Sequence, residues 1–148
     1  MPAPSKPPAK RSARGPAKAV SLEALIPTAL AARERAYAPY SKFRVGAALL
    51  AANGTVYTGC NVENASYGLC ICAERSAVIR AVQEGQRRFA GLVVATQSKQ
   101  PSPPCGMCRQ TLAEFAADLP ILLVNAKGAR MMTSLKEIFP HSFTPDFL

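Results

Sequence analysis

The sequence predicts an α/β domain in which helices cover a mixed sheet of about five strands. Three observations carry that expectation. Short apolar runs at Val45 to Ala52, Leu92 to Ala95 and Ile121 to Val124 suit strands buried in a sheet. Stretches with helical spacing of apolar residues are interleaved with them. The Lys127-Gly128 connection between Ile121–Val124 and Arg130–Thr133 is too short for a parallel crossover, so that pair should run antiparallel.

The elements follow in order. Ser21 is a plausible helix cap, and Leu22, Leu25, Ile26, Ala29, Leu30 and Ala36 mark one apolar face beyond it. Pro27 predicts a kink or a late helix start, and Pro39 a stop before it. Val45 to Ala52 and the alternating Thr55 to Cys60 flank Asn53-Gly54, a hairpin-type turn. Cys72 to Val82 has helical spacing, with Gly85 as its C-terminal stop. Leu92 to Ala95 reads as a central strand, Cys105 to Ala117 as a helix ended by Pro120, and Ser134 as the cap of a short last helix ending near Pro140.

The formal charge of +9 is unevenly placed. Lys6, Lys10, Arg11, Arg14 and Lys18 lie in the first twenty residues with no acid beside them, leaving thirteen bases against nine acids for the remainder. Residues 1–19, rich in Pro and Ala, show no hydrophobic periodicity and are expected to be a disordered basic tail ahead of a domain at 20–148. Such a tail could touch nucleic acid or anionic lipid, or act as a targeting segment. A solubilising extension is the simpler reading. No apolar run reaches membrane-spanning length. Five cysteines, an odd number, without a signal-peptide apolar region point to a reduced, cytoplasmic, metal-binding chain and not to a disulfide framework.

Three of those cysteines organise the reading. Cys72-Ala73-Glu74-Arg75 and Pro104-Cys105-Gly106-Met107-Cys108-Arg109-Gln110 each open a predicted helix. Helix N-termini favour thiolate over thiol. Cys72, Cys105 and Cys108 can together hold one Zn²⁺ and leave a fourth position for water, the pattern of a catalytic site. Glu74 lies two residues after the first ligand, where it can exchange protons with that water without binding the metal. Three thiolates overcompensate the charge of zinc, so a nearby cation is expected, and Arg75 suits this role better than Arg109 because it shares the first turn of Cys72 and Glu74. Cys60 and Cys70 lack a partner at ligand spacing and read as core residues. His141, the only histidine, reads as a solvated loop side chain.

The Cys-x-Glu and Pro-Cys-x-x-Cys pair is the signature of zinc nucleobase deaminases. From about Ala38 onward the sequence resembles the small, homotetrameric, zinc-dependent cytidine deaminases. The resemblance rests on Pro39 to Leu49, Gly59 to Tyr67, Ile71 to Arg75, Pro104 to Gln110 and Phe139 to Phe143. It implies a three-layer α/β/α domain and hydrolytic deamination of cytidine and 2′-deoxycytidine, as in pyrimidine salvage, with Glu74 as the proton carrier. It further implies that Asn61 and Glu63 bind the ribose 3′-hydroxyl, that Phe43 packs on the nucleoside, that the Ala73 N–H reaches cytosine O2, and that Ala65 contacts substrate. Tyr67 and Phe143 would enter a neighbouring subunit's site.

Two rival readings follow from the same residues. A deaminase of the same core could act on blasticidin S, guanine, RNA or DNA; Asn61-x-Glu63 and Phe143 favour a free nucleoside, and nucleic acid is not the expected partner. A non-enzymatic zinc module would require a fourth protein ligand, for which Cys70 is the nearest candidate in sequence.

Overall fold

The computed structural model describes residues 20–148, so the expectation for the basic stretch 1–19 lies outside the described residues. The Ser21 side chain accepts a hydrogen bond from the Ala24 N–H at 3.3 Å and caps a 3₁₀ turn, Leu22–Leu25, that runs into helix α1, Ile26–Arg33. Pro27 falls in the first turn of α1, where a missing N–H costs no helical bond, so the proline marks a late start and produces no kink. The helix ends well before Pro39. Beyond it the backbone is taken up by a tertiary bridge: Tyr37 N–H donates to Asn61 O at 3.0 Å and Tyr37 O accepts from Glu63 N–H at 2.8 Å.

The strands are β1 (Val45–Ala51), β2 (Val56–Cys60), β3 (Phe89–Thr96), β4 (Pro120–Asn125) and β5 (Arg130–Ser134), in the order β2-β1-β3-β4-β5. β1 runs antiparallel to both β2 and β3, β3 and β4 are parallel, and β4 and β5 are antiparallel. The remaining helices are α2 (Ala73–Gln83), α3 (Gly106–Ala113) and α4 (Leu135–Ile138). α2 closes as the sequence suggests: Gly85 has φ +82°, its N–H bonds Val82 O, and the Gln86 N–H bonds Ala81 O. Ser134 and Glu137 form a reciprocal capping box at the start of α4.

Successive residues of a strand face opposite sides of the sheet. Ala47, Leu49, Leu92, Val94, Ile121 and Leu123 pack with Ala77, Val78, Ala81, Leu112 and Leu135 from α2, α3 and α4. Ala48, Leu50, Val93, Ala95, Leu122 and Val124 pack with Leu25 and Ala29 on the other face. The result is a three-layer α/β/α arrangement. Because both faces of β1, β3 and β4 are covered, these strands read as continuous apolar runs and not as alternating ones.

One close approach fixes the start of α2. A Cβ placed on Gly59 of β2 would lie 2.2 Å from Ala73 O and 2.5 Å from Ala77 N, both helix backbone. The absence of a side chain there lets the first turn of α2, which carries Glu74, lie directly on the sheet. Gly59→Ala must push that turn outward, since backbone cannot rotate away. The expected outcome is a loss of about 1–3 kcal/mol of stability in chemical denaturation, with weaker zinc retention. Unchanged denaturation and zinc content would contradict this packing.

Candidate active site

Cys72 is the N-cap of α2, Cys105 is the N-cap of α3, and Cys108 lies in the first turn of α3. Neither N-cap sulfur accepts a capping hydrogen bond, so both helix starts direct unpaired N–H groups and positive partial charge toward the thiols. The Sγ atoms of Cys72 and Cys105 are 3.6 Å apart, as are those of Cys105 and Cys108, and all three lie within 4.8 Å of one another. Sulfurs held tetrahedrally at about 2.3 Å from one zinc ion are spaced by about 3.8 Å, so the two 3.6 Å edges that meet at Cys105 match the spacing such an ion requires. Among the described residues it is the one group of metal-binding side chains. Cys70 is not part of it; its sulfur exchanges contacts with the backbone of Asn64 at 3.4 and 3.7 Å.

The charge around the sulfurs is arranged by local contacts. A hydrogen bond from Cys108 and the adjacent Arg75 draw the Cys72 thiol down to about 5, while its own bond to Cys72 and burial push Cys108 up. Arg75 Nη2 reaches Cys72 Sγ at 3.9 Å and Cys70 O at 2.9 Å. Arg109 instead binds Pro104 O through Nε at 2.8 Å and Ile138 O through Nη1 at 2.7 Å. It clamps the loop before Cys105 to the end of α4 and touches no sulfur.

Glu74, in the first turn of α2, is 4 % exposed and lines the cleft beside Cys72 and Cys105. Burial, reinforced by the Cys72 charge, raises its carboxyl to about 7. A carboxyl raised on folding opposes folding wherever it is ionised. In the metal-free protein Glu74 therefore costs nothing below about pH 4.5, and its penalty grows as pH rises toward about 7. Glu74→Gln in chelator-treated protein is expected to be about 3 kcal/mol more stable than the parent above pH 7 and equal to it below pH 4.5. Urea denaturation at both pH values checks this; a pH-independent difference would refute it.

The cleft has a volume of about 330 Å³, within the range of small-molecule sites. Phe43, Asn61 and Glu63 line it together with Cys72 and Cys105. Asn61 Oδ1 accepts from Val45 N–H and its Nδ2 donates to Phe43 O, both at 2.8 Å, so this side chain pins the entry to β1. Glu63 accepts from the N–H groups of Tyr40 and Ser41 and from the Ser41 hydroxyl, which keep its carboxyl below the usual range. Ala73, fully buried, opens α2 where backbone N–H groups lack helical acceptors.

Three sequence-nominated residues lie elsewhere. Ala65 is exposed in a bend and does not line this cleft. Tyr67, 74 % exposed, packs edge-on to Tyr40 beside an annex that shares Ser41, Glu63 and Cys70 with the cleft. Phe143, 58 % exposed, stacks on Phe147, and the Gln110 side chain binds its backbone at both N (3.3 Å) and O (2.9 Å). The sequence reading also missed a hydroxyl chain that reaches the cleft at Thr96 and Ser102. Thr96 Oγ1 and Ser98 Oγ are 2.6 Å apart, Ser98 and Ser102 2.8 Å, and buried Asn125 holds Ser98 O and Lys99 O. No local pattern announces such a network, because its members converge only through the fold.

Residues 20–123 match the family model described as the cytidine and deoxycytidylate deaminase zinc-binding region. The chain belongs to the cytidine and deoxycytidylate deaminase family. A family member from Sporosarcina psychrophila, named cytidine deaminase, is 46 % identical over 130 residues, covering 87 % of this chain and 96 % of that one. Another of that name from Halalkalibacterium halodurans is 48 % identical over 123 residues, covering 82 % and 93 %. The crystal structure of a cytidine deaminase from Burkholderia pseudomallei superposes with a TM-score of 0.81 at 48 % identity, covering 84 % of this chain and all of that one. The zinc-binding character of the family agrees with the sulfur triangle.

Proposed function

We propose that this enzyme hydrolytically deaminates cytidine and 2′-deoxycytidine to uridine and 2′-deoxyuridine, releasing ammonia. The observation that carries the reading is a buried carboxyl, raised to about 7, beside three convergent thiols in a nucleoside-sized cleft. Zinc, when held by Cys72, Cys105 and Cys108, supplies a Lewis acid that makes water a nucleophile near neutral pH. Glu74 takes one proton from the attacking water and delivers it to pyrimidine N3 so that C4 becomes electrophilic; it then takes the remaining proton of the hydroxyl added at C4 and gives it to the departing amine, leaving the C4 carbonyl and ammonia. A buried carboxyl, whose charged form burial disfavours, is suited to holding and releasing protons in turn. Arg75 offsets the excess thiolate charge. Phe43 packs on the nucleoside, Asn61 and Glu63 read the ribose 3′-hydroxyl, and the Ala73 N–H binds cytosine O2.

Tyr67 and Phe143 are exposed and neither lines the cleft of its own chain, Leu69 is exposed on the same 3₁₀ turn as Tyr67, and Ile79 and Met107 are exposed apolar residues of α2 and α3. These features support a homotetramer with composite sites, in which Tyr67 and Phe143 serve a neighbouring subunit. No helix among the described residues is long and apolar enough to cross a membrane. A cytoplasmic location fits five unpaired cysteines.

An ultraviolet assay with cytidine, 2′-deoxycytidine, cytosine and adenosine, run beside zinc quantification, tests the function. Turnover of the two cytidines alone, with one zinc per chain, is expected. Inactivity of the zinc-loaded enzyme on both would refute the proposal, and deamination of RNA with salt-sensitive affinity would favour a polynucleotide substrate.

A further inference from the structure

The loop between α1 and β1 carries a residue whose chemistry the mechanism above does not use. Among the described residues, Lys42 is the one non-glycine with positive φ, at +59°. Its N–H bonds Ala38 O at 3.2 Å, and its carbonyl accepts from Gln97 Nε2 at 2.6 Å, which ties the curl to the residue following β3. This curl gathers three donors around one carboxylate. Glu63 Oε2 accepts from the Tyr40 N–H at 2.9 Å and the Ser41 N–H at 3.2 Å, and Oε1 accepts from the Ser41 hydroxyl. The Ser41 oxygen in turn accepts from the Phe43 N–H at 3.0 Å.

The inventory of lone pairs gives this arrangement a purpose. An ionised carboxylate has about four acceptor positions. The two backbone donors share Oε2, so Oε1 retains one position once Ser41 has taken the other. Ser41, Phe43, Asn61 and Glu63 all line the cleft. The serine has a single proton to donate, which goes to Glu63 Oε1, while its oxygen accepts from the Phe43 N–H.

We propose that Ser41 is a positioning residue for sugar recognition: its hydroxyl locks the Glu63 carboxylate in the rotamer that leaves one Oε1 acceptor position for the ribose 3′-hydroxyl, and links that carboxylate to Phe43. This rests on the reading of the chain as a cytidine deaminase in which Glu63 binds that hydroxyl. Without Ser41 the carboxylate keeps its two backbone donors but is free to turn Oε1 away, so the loss falls on sugar binding and not on proton transfer at the pyrimidine. A bond of this kind to a charged acceptor corresponds to about a tenfold effect.

The test compares cytidine with 3′-deoxycytidine, which lacks the hydroxyl in question. For Ser41→Ala, KM for cytidine should rise about tenfold with kcat within about twofold of the parent. The parent and the variant should be alike on 3′-deoxycytidine. Ser41→Thr, which keeps the hydroxyl, should restore cytidine KM, and Ser41→Ala should add nothing further in a Glu63→Gln background. Should Ser41→Ala fail to fold, Ser41→Cys, of similar size and a weaker donor, should show the same sugar-selective loss. An equal loss on both substrates would assign Ser41 only to support of Phe43 and overturn the proposal, as would an unchanged cytidine KM. A parent enzyme inactive on cytidine would instead refute the functional reading beneath it, so the two failures are distinguishable.

Discussion

Replacing Glu74 with alanine is expected to lower kcat for cytidine by about 10³- to 10⁴-fold while the fold and one zinc per chain are retained. The side chain is not among the sulfurs that converge on the metal position, so its loss leaves the ligand set whole. Alanine is also a better helix former than glutamate, and this position lies in the first turn of α2. What disappears is the one buried carboxyl beside the reacting centre, which the proposed reaction uses both to activate water and to protonate the leaving amine. Glu74→Gln preserves the shape and should lose as much, since an amide does not carry the proton. Steady-state ultraviolet kinetics with metal analysis on the same samples measure both quantities. Activity within tenfold of the parent would remove Glu74 from the chemistry.

Cys105→Ala is expected to abolish both zinc binding and turnover. Cys105 sits 3.6 Å from each of the other two sulfurs and closes the triangle, so removing it leaves two ligands that no longer surround an ion. A metal that binds only the native state stabilises it by mass action, so the variant should melt at a lower temperature than the zinc-loaded parent and no longer respond to chelator. Cys70→Ala should keep its zinc, because the Cys70 sulfur is engaged with the Asn64 backbone and stands outside the triangle. Metal analysis and thermal melts with and without chelator check the pair. Zinc retained at one per chain in Cys105→Ala would contradict the assignment.

The parts of the fold that could be read from the sequence are those governed by local chemistry. The Asn53-Gly54 hairpin, the Gly85 stop and the Ser134 cap are turn and cap signals that act within a few residues, and each falls where the pattern places it. The apolar runs at β1, β3 and β4 were legible because both faces of these strands are buried. Element ends were less legible. α1 stops early because Tyr37 is drawn into a bridge with the Asn61–Glu63 segment, and β3 begins at Phe89, which packs on Phe115 at 5.5 Å. Neither contact has a local signature. At the site, Arg75 and Arg109 are equivalent as neighbours of cysteine in sequence; only the folded positions of Pro104 and Ile138 explain why Arg109 is occupied elsewhere. The roles given to Asn61, Glu63, Tyr67 and Phe143 came from resemblance, and the structure adds what binds each of them: backbone at β1, the Ser41 loop, Tyr40, and Gln110.

The difference between a catalytic and a purely structural zinc lies in its fourth ligand, and X-ray absorption at the zinc edge of the loaded protein in solution reads that ligand. We expect three sulfurs at about 2.3 Å and one oxygen at about 2.0 Å, the latter changed by a bound nucleoside analogue. Four sulfurs, with Cys70 recruited to close the shell, would mean that no coordination position is left for water and would contradict the proposed chemistry.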